Sequence, residues 1–131
     1  MTGENARRNA KEEARRGDEA LSAARHLLDG GFFNDAISRA YYAAYHWARA
    51  LLVSRGLDPK THRGVIQLLG LHFVESGELS DEAAGRLAHL ETYRELSDYT
   101  SSANFSETRA REEIARAEQF IAACHPLVER L

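Results

Sequence analysis

Four alanines spaced four residues apart, Ala36, Ala40, Ala44 and Ala48, constrain this chain more than any other feature. At the period of an α-helix they trace one row of small side chains, and such a row lets a second helix approach closely. Ile37, Tyr41, Tyr45 and Leu52 lie beside the row and give the seam bulky flanks. The segment therefore predicts a packed helix over about Phe33 to Arg55, closed by Gly56 and Asp58-Pro59.

Four further helices follow from the same kind of reading. The first covers roughly Glu4 to Asp29, with Ala10, Ala14, Gly17, Leu21, Ala24 and Leu28 on one face, and Gly30-Gly31 as its stop. Thr61 is placed to cap a third helix carrying Val65, Leu68, Leu69, His72 and Phe73 to a stop near Gly77. Ser80 caps a fourth, with Asp81 and Glu82 at the positive end of its dipole and a stripe of Ala83, Leu87 and Leu90. A polar stretch, Thr100 to Asn104, forms the last loop. The fifth helix starts at Ser106-Glu107, with a stripe of Ala110, Ile114, Ala117, Ile121, Cys124 and Val128, and Pro126 kinks or frays its end. No strand-like alternation and no internal repeat occurs. The expected fold is all-α, a bundle of about five antiparallel helices in one domain over residues 1–131.

Composition narrows the function classes. A formal net charge of −3 offers no global basic field, so nucleic acid would have to be met by a local patch. Arg7, Arg8, Lys11, Arg15 and Arg16 alternate with Glu4, Glu12 and Glu13, which reads as a solvated face. Cys124 is the single cysteine, so no intrachain disulfide forms, and its place on an apolar stripe predicts a buried thiol. The N-terminus has no signal-peptide pattern, and no apolar run approaches the ~20 residues of a membrane span. The expected location is the cytoplasm.

Three groups of residues carry candidate chemistry. Arg94 stands where the fourth stripe calls for a leucine. Either the stripe turns into solvent there or a guanidinium points into a seam, where it needs carboxylate or phosphate partners. Asp98 lies one turn on, and Tyr99 follows. On the second helix, which also carries Asp35, the residues Arg39, Tyr42, His46 and Arg49 share a face distinct from the alanine row. They are types that stack a base and neutralise a phosphate, or simply form a polar back. Lys60, Thr61, His62 and Arg63 concentrate cations at a helix start that is already electropositive, which favours an anion there. No helical metal-ligand pair and no glycine-rich phosphate loop is present, so neither metal nor cofactor is expected.

The run Ala36-Ile37-Ser38-Arg39-Ala40-Tyr41-Tyr42-Ala43-Ala44-Tyr45-His46, followed by Ala48-Arg49-Ala50-Leu51-Leu52, resembles the second helix of HEPN-domain proteins. Lys60-Thr61-His62-Arg63-Gly64, Phe73-Val74 and Arg94 with Asp98-Tyr99 are similar to the small stand-alone branch of that family, and the likeness runs from about residue 15 to about residue 123. The resemblance implies a helical bundle that dimerises through helix faces and often acts beside a minimal nucleotidyltransferase as a toxin–antitoxin pair. It also implies, for many members, a metal-independent ribonuclease with an arginine followed roughly four to six residues later by a histidine, the one steadying phosphate charge and the other moving protons. Arg94 matches the arginine; Glu95, Leu96, Ser97, Asp98, Tyr99, Thr100 and Ser101 after it include no histidine.

The sequence thus leads to a homodimer whose groove, lined by Arg94, Asp98, Tyr99 and parts of the second helix, binds nucleotide or RNA or serves as a partner's target. The expected partner is a small nucleotidyltransferase. Two alternatives stand beside it: a ribonuclease using Arg94 with a histidine from elsewhere, His46 or His62, and a structural interaction module in which the alanine row makes the dimer.

Overall fold

The helix that carries the alanine row is the one every other helix packs on. In the computed structural model, which describes residues 3–99 and 104–129, the helices are α1 (Gly3–Asp29), α2 (Phe33–Val53), α3 (His62–Leu69), α4 (Asp81–Tyr99) and α5 (Glu107–Glu129). A single π-helical turn, Gly70–Val74, continues α3. No strand occurs among the described residues. The polar loop expected at Thr100 to Asn104 lies, except for Asn104, outside the described residues.

Ala36, Ala40, Ala44 and Ala48 are all fully buried, as are Ile37, Tyr41, Leu51 and Leu52 beside them. α1 makes the longest contact with α2, through positions such as Ala43, His46 and Trp47, and α3, α4 and α5 also pack on α2. The α1 face predicted from sequence, Ala10 through Leu28, is buried throughout. So are the α4 stripe of Ala83, Leu87 and Leu90 and the α5 stripe of Ala110 through Val128. Burial at ~25 cal/mol per Å² of apolar surface is what holds such stripes together.

The connections follow the punctuation. Gly31, at φ 85°, closes α1: its N–H reaches the Leu28 carbonyl at 3.1 Å and that of Phe32 reaches Leu27 at 2.8 Å. The turn returns the chain directly along α1. Thr61 caps α3 through a 2.9 Å hydrogen bond donated by the Gly64 N–H to its hydroxyl. The third helix differs from expectation in ending its α-helical part at Leu69, where the π-helical turn takes over and brings Phe73 into the core. Pro126 sits inside α5, which runs on to Glu129. Cys124 is fully buried, and burial pushes its thiol pKa up, away from the reactive thiolate.

Candidate functional site

Arg94 points into the bundle. It is the next member of the α4 stripe after Leu90 and is 6% exposed. Its guanidinium carbon lies 5.1 Å from the centre of the Tyr41 ring, its Nη1 is 3.7 Å from Asp98 Oδ2, and its Nη2 is 3.8 Å from Glu91 Oε1. The second Asp98 oxygen accepts a hydrogen bond from the Ser38 hydroxyl of α2. Ser97, whose hydroxyl donates to the Arg94 carbonyl at 2.9 Å, sits 3.4 Å from the same Ser38 oxygen. Arg94 and Asp98 thus fasten the end of α4 to the middle of α2 through an aromatic face and a hydroxyl.

Tyr41 extends this group to a histidine. Its phenol oxygen is 2.5 Å from His62 Nδ1 at the start of α3. Burial chiefly, with the nearby Glu91 charge, pushes the Tyr41 pKa up, partly offset by Arg94, so the phenol keeps its proton. When the phenol donates to Nδ1, the imidazole carries its own proton on Nε2. The His62 ring lies 4.6 Å from that of Tyr45, 5.6 Å from Tyr41 and 6.2 Å from Tyr42, forming a half-buried aromatic layer. Arg39, exposed one turn earlier on α2, places its guanidinium 4.8 Å over the Tyr42 ring. The structure therefore brings Arg39, Tyr42, His62, Arg94 and Asp98 to neighbouring positions. Tyr99 belongs to α4 by its backbone, and its side chain lies outside the described residues.

His46 and Arg49, on the same helical face by spacing, belong to another group. His46 Nδ1 is 2.9 Å from Glu13 of α1, and Arg49 donates to the Pro59 carbonyl at 2.6 Å and to Asp58 at 2.7 Å. Lys60 joins Asp58 at 2.7 Å, and Thr61 is occupied as the α3 cap. This network ties α1 and α2 to the segment before α3. Burial by itself would raise the Glu13 pKa, but the His46 hydrogen bond and the Arg49 and His46 charges outweigh it, leaving Glu13 below the ordinary 4.5. A depressed carboxylate pKa adds stability above the unfolded value, and that stability is lost as pH falls through the lower folded value. Glu13→Gln should therefore flatten the loss of stability as pH falls through and below the ordinary glutamate range in urea unfolding. An unchanged acid slope would remove Glu13 from this role.

Sequence reading missed a third group. Glu113 of α5 is fully buried, with His89 Nε2 at 3.4 Å, Arg109 Nη1 at 3.5 Å and Arg116 Nε at 3.7 Å. Glu113 falls three residues after Ala110 and four before Ala117, so the α5 stripe itself marks it as inward-facing. Among the described residues, no cluster of histidine, cysteine and carboxylate side chains is arranged to hold a metal ion, and no helix is long and apolar enough to cross a membrane.

The family model described as the HEPN domain matches residues 10–128. A UPF0332 protein of Pyrococcus horikoshii is 50% identical over 72 residues, which span 55% of this chain and 51% of that one, about half its length. A protein of Methanocaldococcus jannaschii named as a candidate toxin is 38% identical over 104 residues, 79% of this chain and 77% of its own. Among solved structures, a HEPN domain protein of Thermotoga maritima superimposes with a TM-score of 0.67 at 21% identity, covering 92% of this chain and 99% of the other, a likeness of fold.

Proposed function

The chain belongs to the HEPN domain family, and on that basis we propose that it is a helical homodimer whose groove beside Arg94 and Asp98 binds nucleotide or single-stranded RNA. We place it in a toxin–antitoxin-like pairing with a small nucleotidyltransferase. A relative named as a candidate toxin supports the toxin-like setting. The observation that carries the binding role is the half-buried layer of Tyr42, Tyr45 and His62 with the exposed Arg39 guanidinium over one edge. Aromatic faces accept any base at roughly 1–3 kcal/mol each, and an arginine beside them meets the phosphate. Arg94 enters this reading as the residue that fixes Tyr41, and through it His62, in position.

Titration of a labelled single-stranded RNA at low salt tests the reading. Arg39→Ala and Tyr42→Ala should each weaken binding roughly ten-fold, with the salt dependence reduced in the first. RNA that fails to bind at low salt, or binds both variants as it binds the parent, would overturn it in favour of a structural module.

A second reading, a ribonuclease, has the His62–Tyr41–Arg94 chain in its favour. In the other tautomer, with Nδ1–H donated to the Tyr41 phenol oxygen, the free Nε2 of His62 would take the proton of a ribose 2′-hydroxyl as that oxygen attacks the adjacent phosphorus, and would return it to the 5′-oxygen as that oxygen leaves. The two carboxylates flanking Arg94 weigh against it, since they oppose a phosphate there. RNA cleavage by the purified protein in the presence of chelator, lost in both His62→Ala and Arg94→Ala, is the result this reading requires.

A further inference from the structure

The α4–α5 seam holds a concentration of polar atoms that the groove beside Arg94 does not use. Four buried side-chain atoms there make no hydrogen bond: both carboxylate oxygens of Glu113, His89 Nε2 and Arg116 Nε. Burying a carboxylate is costly unless its partners repay it, and ion pairs at these lengths repay only part. Directly above lies an open cleft of about 370 Å³, lined by Glu82, Gly85, Arg86, His89, Arg116 and Gln119.

Three features make this cleft suited to an anion. His89 turns its buried Nε2 toward Glu113, lays its ring 4.8 Å from that of Tyr93, and lines the cleft with a side chain that stays 37% exposed. Arg86 and Arg116 reach the same cleft from α4 and α5, each about a quarter exposed. Arg109, which also lies 4.6 Å over the Tyr93 ring and is not part of the cleft lining, sits 3.5 Å from Glu113 and offsets its charge. Glu82 and Glu112 pair with Arg86 and Arg109 but are largely solvent-exposed, so their charge is screened. Two guanidinium groups and an imidazole lining one cleft are a donor set that a tetrahedral oxyanion takes.

We propose that this cleft is a second, phosphate-binding site, formed by Arg86, His89 and Arg116 over the buried Glu113, and separate from the groove beside Arg94. The phosphate belongs either to a small phosphate compound or to an RNA backbone. Glu113 acts as a positioning residue that fixes the His89 ring and the Arg116 fork.

The test follows the His89 ring nitrogens by NMR in the full chain. Inorganic phosphate, then adenosine monophosphate, then a short single-stranded RNA without terminal phosphates are added at matched ionic strength against chloride. A saturable His89 shift is expected, with affinity reduced at least ~10-fold in Arg86→Gln and in Arg116→Gln. Arg39→Ala should leave the shift unchanged, which separates this site from the groove. Response to phosphate and the mononucleotide assigns a small phosphate compound; response to RNA alone assigns the backbone. The Arg86 side chain pairs with the exposed Glu82, so Arg86→Gln keeps the fold even where Arg116→Gln does not. No saturable shift with any of the three, or an unchanged affinity in Arg86→Gln, would overturn the proposal.

Discussion

Gly17→Val should lower stability by ~3 kcal/mol and the thermal midpoint by roughly 10 °C. Helix propensity alone gives the opposite sign, since glycine inside a helix is about 1 kcal/mol worse than alanine. Packing decides. A Cβ at Gly17 would lie 2.5 Å from Trp47 Cδ1 and 2.9 Å from the Ala43 carbonyl oxygen. The Trp47 ring is held in place, with its N–H donated to Asp18 at 3.0 Å and His125 stacked at 5.4 Å, so it has little room to yield. Even Gly17→Ala should destabilise, by about 1 kcal/mol after the propensity gain is counted. Thermal unfolding of the two variants checks both sign and order; a Gly17→Ala protein more stable than the parent would show that the α1–α2 seam is looser than drawn.

Arg94 offers the second large effect, one that separates stability from function. Arg94→Ala removes the guanidinium from the Tyr41 face and leaves Glu91 and Asp98 without the cation between them, an expected loss of ~2–3 kcal/mol. Arg94→Leu completes the apolar stripe of Ala83, Leu87 and Leu90 and should come within about 1 kcal/mol of the parent, because well-packed apolar replacements of buried ion pairs are often neutral. Both should weaken RNA binding through loss of the Tyr41–His62 register. If the leucine variant is as unstable as the alanine one, the arginine is there for the fold. If it binds RNA like the parent, Arg94 has no part in the site.

How much of this was legible depends on which interaction placed each residue. Helix positions were, because each stripe repeats within one segment and its burial follows from spacing alone. Arg94 was visible for the same reason: it breaks a stripe that otherwise reads clearly. The resemblance to HEPN proteins rested on motif residues of α2, α3 and α4, and the family model covers the same span. What could not be read was which neighbour covers each polar face. Arg39, Tyr42, His46 and Arg49 share one face of α2, yet Glu13 of α1 takes the last two, while Tyr42 stays beside His62 with Arg39 over its ring. Glu113 was not among the candidate residues, although its register with Ala110 and Ala117 marks it as inward-facing. The π-helical turn left no periodic mark, since it shifts the register within a few residues.

Placing Ser38, Tyr41, Tyr42 and Tyr45 on the helix that all the others enclose has a consequence for how such a site can change over generations. Side chains on α2 are held with little freedom, which serves recognition because less order has to be created on binding. The same confinement makes most substitutions there a threat to the fold before they alter any specificity. Under the proposed binding role, changes of specificity would fall on the rim: on Arg39, on the residues opening α3, and on the outer face of α4, where exposed positions such as Arg63 and Glu95 can be exchanged at small cost. A rigid centre with an exchangeable rim would let one scaffold change what it recognises with few changes at its core.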